Sequence, residues 1–110
     1  MTAPEFLDLL RNRVRAPVER NAAAIVRALG DDRLAIEAFQ LARVHLDALI
    51  DRLEGAQLQD LDRRLAELSG PLADGTRRLK ESLGRLEDFA QGADLLATLV
   101  GLAARIVALA

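Results

Sequence analysis

The sequence predicts an all-α helical bundle of four to six helices, on three observations. Leu and Ala supply most of the apolar residues, and the aromatics are three Phe with no Tyr or Trp, a composition that favours helix over sheet. Apolar side chains recur at spacings of three and four along most of the 110 residues, the period of a helix with one buried face. The stretch ADLLATLVGLAARIVALA, 93–110, is apolar on nearly every side, so it requires cover from protein or lipid. A chain of this length suffices for one domain with a core of its own, and we read 1–110 as a single helical domain.

The first helix is expected over about 3–15. Thr2 and Glu5 have the spacing of a capping box, and Pro4 suits a first turn, where a missing N–H is harmless. Phe6, Leu9, Leu10 and Val14 form its apolar stripe. Pro17 would clash with the preceding turn inside a helix, so a break or kink is expected near Arg15–Ala16. A second helix follows over about 17–29, with Val18, Ile25, Val26 and Leu29 facing inward and Gly30 as its stop.

Asp31 or Asp32 caps a third helix, about 32–54. Ala35, Phe39, Ala42, Leu46, Leu49 and Leu53 follow a coiled-coil-like heptad seam. Ile36, Leu41, Val44 and Ile50 widen it into the broad stripe of a helix with more than one neighbour. In the fourth segment Leu58, Leu61, Leu65, Leu68 and Leu72 keep one phase, and Leu79, Leu83 and Leu86 resume it. Gly70, Pro71 and Gly75 oppose a helix there by about 4–5 kcal/mol in total, yet a free turn has no reason to preserve register. The expectation is one long helix, about 58–89, kinked at 70–71, with a further break at Gln91–Gly92.

The terminal helix, about 93–109, carries Leu95, Leu99, Leu102, Ile106 and Leu109 at alternating spacings of four and three. A small-residue track, Ala93, Ala97 and Gly101, lies opposite. The helix's eight Leu, Ile and Val side chains, left exposed, would cost ~1.5–3 kcal/mol each. Three environments relieve that cost: the centre of the chain's own bundle, an interface between copies, or a membrane entered after the bundle opens. Leu95–Ala110 spans about 24 Å, short of the ~30 Å hydrocarbon layer, and has no aromatic or basic anchor.

Residues suited to chemistry are sparse. His45 has Leu41, Ala42, Ala48 and Leu49 at the positions where a helical metal site needs ligands. Ser69 and Ser82 lie in no nucleophile motif, and no glycine-rich phosphate loop is present. No catalytic residue, metal ligand or cofactor is assigned, and no enzyme activity is expected. Arg11, Arg13, Arg15 and Arg20 form the best candidate for nucleic acid, but Glu5, Asp8 and Glu19 dilute their field and no aromatic is interleaved for stacking. A solvated basic face, or one paired with acids, is the expectation. The net charge of −2 mixes both signs along the chain, and the absence of Cys excludes disulfides and thiolate chemistry. The N-terminal residues lack the order of a secretory signal, which points to a cytoplasmic protein. Fourteen Arg against one Lys point to a GC-rich bacterial genome.

In the order of its parts alone, amphipathic helices followed by an apolar one, the chain resembles small bacterial helical proteins, holin- and haemolysin-accessory proteins among them. The resemblance includes no shared motif and transfers no residue. The functional expectation is a non-catalytic interaction protein, a homo-oligomer or the binder of a protein partner. Its contacts would come from Leu65, Leu72, Leu79, Leu86, Leu95, Leu99, Leu102, Ile106 and Leu109. A membrane-active protein that releases the terminal helix is the alternative, and nucleic-acid binding through the arginines is the third reading.

Overall fold

The computed structural model describes residues 1–55 and 61–108, with the side chains of Asp62 and Ala108 excepted. Leu58 and Leu109 lie outside the described residues. The elements are α1 (Ala3–Asp8), a π-helical segment (Leu9–Arg15), α2 (Ala16–Leu29), α3 (Arg33–Gly55), α4 (Leu61–Leu83), a 3₁₀ turn (Leu86–Asp88) and α5 (Phe89–Ala108). Together they form an all-α bundle measuring 43 × 22 × 19 Å.

The N-terminal box forms as its spacing predicts, with the Glu5 N–H donating to Thr2 Oγ1 at 3.3 Å. The expected break at Arg15–Ala16 is absent. Asp8, Leu9, Arg15 and Ala16 all stay in the right-handed helical region, so α1, the π segment and α2 form one continuous rod. The Ala16 N–H bonds the Arg11 carbonyl five residues back. A wider turn just before Pro17 accommodates its ring without ending the helix. Gly30, at φ +63°, closes α2, a conformation that penalises any residue with a Cβ. Asp32 then caps α3, accepting from the Ala35 N–H at 3.0 Å.

Three ion pairs show that α3 runs antiparallel to the first rod. Arg11, Arg15 and Glu19 ascend one helix while their partners Glu54, Asp47 and Arg43 descend the other. The α3 heptad seam is buried at Phe39, Ala42, Leu46, Leu49 and Leu53, joined by Ile50.

α4 runs unbroken through Gly70, Pro71 and Gly75. Pro71 and Glu67, whose carbonyl loses its N–H partner to the proline, are both exposed residues, so the interruption lies on the outer side of α4. The helix ends at Leu83, short of the expected 89, and the break expected at Gln91–Gly92 falls at Gly84–Arg85. There the Gly84 N–H bonds the Glu81 carbonyl at 3.2 Å, and the Ser82 hydroxyl donates to the Asp88 carbonyl, folding the 3₁₀ turn back on α4. Gly92 lies within α5 and is a contact point. A Cβ there would lie 3.3 Å from both Leu83 Cδ2 and Ser82 Oγ.

α5 is the central element, packed against α2, α3 and α4. Its buried seam is rotated from the expected one. Leu96, Leu99, Val100, Ala103, Ile106 and Val107 are at most 3% exposed, while Leu95 and Leu102 flank the core. Of the small-residue track, Ala93 is buried but Ala97 and Gly101 face outward. The close approach is made from α4 instead. A Cβ on Gly75 would come within 2.7 Å of Leu99 Cδ2. Arg64 of α4 donates to the Ile106 carbonyl at 2.9 Å, satisfying a last-turn acceptor of α5.

The two helix-interior glycines of α4 therefore predict different outcomes. Apart from its chain neighbours, nothing lies within 4 Å of a Cβ at Gly70. A Cβ directly before Pro71 crowds the proline ring in helical geometry, which offsets the gain in helix propensity, so G70A should leave stability within about 0.5 kcal/mol of the parent in urea unfolding. G75A places a methyl 2.7 Å from Leu99 Cδ2, and Leu99, 1% exposed, has to repack within the core to make room. It should lose more than it gains in propensity, a net destabilisation of about 1 kcal/mol.

Candidate functional site

The leucines expected to form an interaction surface are largely the core of the protein itself. Leu65, Leu72 and Leu79 of α4 and Ile106 of α5 are fully buried, and Leu99 is 1% exposed. Leu95 and Leu102 are partly covered against the same core. Among the described members of the set, Leu86 alone stands free, 80% exposed in the 3₁₀ turn. Surface available to a partner must come from elsewhere.

The largest apolar exposure is on α3. Leu34, Leu41 and Val44 are 78%, 70% and 65% exposed, and Ala38 and Ala48 lie exposed on the same side. The side opposite this stripe carries the Phe39–Leu53 seam, so α3 is apolar on two faces and covered on one. Leu41 and Val44, read from sequence as a widening of the buried seam, belong to the outer face. Their spacing carries that signal: Leu41 is three residues from Ala38 and seven from Leu34, and Val44 is four from Ala48.

The outer stripe is symmetric in order. About Leu41, apolar residues fall at offsets of three (Ala38, Val44) and seven (Leu34, Ala48) on each side. At offsets of four stand Glu37 on one side and His45 on the other. Both are exposed. An antiparallel copy of the helix, related by a two-fold axis through Leu41, would set Leu41 on Leu41, Ala38 on Val44, Leu34 on Ala48 and each Glu37 beside a His45.

The N-terminal arginines divide by face. Arg11 and Arg15 are engaged by Glu54 and Asp47 of α3. Arg13 and Arg20 have no carboxylate within 4 Å among the described residues. Arg43 donates to both oxygens of Glu19, from Nε at 2.9 Å and from Nη2 at 2.5 Å, and lies 5.7 Å from the centroid of the Phe39 ring. Those hydrogen bonds hold the Glu19 carboxyl below the usual carboxylate range, against a smaller opposing effect of burial. Ser82 donates to Asp88 and Thr76 to the Leu72 carbonyl at 2.7 Å, so both buried hydroxyls serve the fold. Among the described residues no three His, Asp or Glu side chains converge on a metal position.

Leu86–Val107 is long and apolar enough to cross a membrane by length and composition, a property shared by the core helix of a folded bundle. Family models, curated proteins and solved structures contain no match to this chain.

The Glu19–Arg43 pair predicts a pH dependence. A carboxyl depressed in the folded state stabilises above its unfolded pKa, and that stabilisation disappears as pH falls through the folded value. E19Q should therefore lower stability at neutral pH by less than about 1 kcal/mol, since Glu19 is substantially exposed. It should also shrink the stability difference between about pH 7 and pH 3, read by urea unfolding at each pH.

Proposed function

We propose that this protein is a non-catalytic helical interaction module that pairs with a second copy of itself through the outer face of α3. The observation that carries this reading is the exposed, order-symmetric stripe Leu34, Ala38, Leu41, Val44 and Ala48. Isologous contacts need self-complementary surfaces, and this stripe meets its own two-fold image with apolar groups on apolar groups and a carboxylate beside an imidazole. Its five residues, spread over about 21 Å of helix, are few beside the ~20–30 residues a side of a standard interface. The association expected is consequently weak and concentration-dependent. The scarcity of nucleophile–base pairings supports a binding role over an enzymatic one.

Sedimentation equilibrium at up to ~0.5 mM protein tests the proposal. The chain should pass reversibly from monomer to dimer. L41D changes a 70% exposed residue, so it should leave the helical circular dichroism and the unfolding midpoint near their parent values while removing the dimer. E37K should weaken the dimer about two- to five-fold, and E37K/H45E should restore it. A monomer at every concentration, or a dimer indifferent to L41D, would refute this reading.

A further inference from the structure

Arg13 and Arg20, left over when Arg11 and Arg15 pair with α3, line a single cleft with Arg77 and Lys80 of α4. The cleft lies between the N-terminal rod and α4 and has a volume of about 760 Å³, within the ~300–1,000 Å³ of small-molecule sites. Leu9, Pro17 and Leu83 contribute apolar lining, and no Asp or Glu is among the lining residues. Arg77 is shared with Asp74 and Glu81, whereas Arg13, Arg20 and Lys80 have no carboxylate within 4 Å among the described residues. Glu5 and Asp8, the latter held by the Asn12 amide at 2.6 Å, line an adjoining pocket that shares Met1, Leu9 and Arg13 with the cleft, and neither acid lines the cleft itself. On a chain of net charge −2, carboxylates are plentiful, and their absence from the lining leaves Arg13, Arg20 and Lys80 without a paired acid in a concave, partly apolar space.

The geometry points to this cleft as a binding site for a small organic phosphate, a dianion carried on an apolar body. Two guanidinium forks match phosphoryl oxygens in pairs, and the single lysine adds a mobile point charge. The apolar walls cover the rest of the ligand. The wide π turn places Leu9, Asn12 and Arg13 along one side of the cleft, and such turns recur at binding sites in other helices. The site is separate from the outer face of α3, so it stands or falls independently of the proposed dimer.

Calorimetric titration of the full chain with 1-naphthyl phosphate tests the assignment, with 1-naphthol, inorganic phosphate and a short single-stranded oligonucleotide as further arms. Saturable one-to-one binding is expected for 1-naphthyl phosphate and weaker binding for inorganic phosphate. The aryl phosphate affinity should fall as salt is raised. R13Q, R20Q and K80Q replace exposed side chains and should each weaken binding by about ten-fold, with unchanged circular dichroism. R33Q, on exposed Arg33 outside the cleft, should stay within about two-fold of the parent. Equal binding of 1-naphthol would show an apolar pocket and overturn the proposal. Binding of the oligonucleotide alone, no saturable binding at all, or binding unaltered in the three cleft variants would overturn it as well.

Discussion

The burial of α5 is the constraint on which the rest of the bundle depends. A helix apolar almost all round has no stable placement in water, and here α2, α3 and α4 each give it a wall. Full burial of six side chains from Leu96 to Val107 dictates what its neighbours must be. α4 has to come close enough to close the core, and glycine at position 75 permits that approach onto Leu99. α4 has to remain one rod to span the length of α5, and Pro71 is tolerated there on the exposed side of the helix. Arg64 then binds the carbonyl of Ile106 near the far end of the same helix, and Ser82 closes the connection at the near end.

The helical class was legible because its signals were redundant. Capping at Thr2 and Asp32, the stop at Gly30 and the α3 seam each follow from local chemistry that tertiary structure did not need to override. The two breaks expected at Pro17 and Gly92 failed for one cause. Where a local breaker competes with packing, the breaker loses if the helix has something to bury. Pro17 is absorbed by a π turn, and Gly92 is a contact point with Ser82 and Leu83. The face of α5 was hidden for a different reason. With leucine, valine or alanine at almost every position, periodicity does not choose between the Leu95–Leu102 line and the Leu96–Ala103 line. The choice is made by the shape of the neighbours, through long-range contacts that no window of sequence contains.

The surfaces were less legible than the core. Leucine at regular spacing marks a helix face without saying whether the cover comes from the same chain or another. On α4 and α5 it comes from the same chain. On α3, two apolar faces share one helix, and the outer one could have been recognised from the offsets of Leu34, Leu41 and Val44 to the Phe39 seam. The arginines show the same sorting. Arg11 and Arg15 share a face directed at α3, and Arg13 and Arg20, seven residues apart, share the face directed at α4. A count of basic residues along the chain merges the two groups, and only the helix that packs on each face separates them.

Amide hydrogen exchange along α5 tests most directly whether this chain alone covers its apolar helix. Amides from Leu96 to Val107 should exchange only through global unfolding, at rates unaffected by protein concentration or by added lipid vesicles. Rapid exchange in that segment, or protection acquired only at high protein concentration or on vesicles, would place its cover outside the chain and contradict the account.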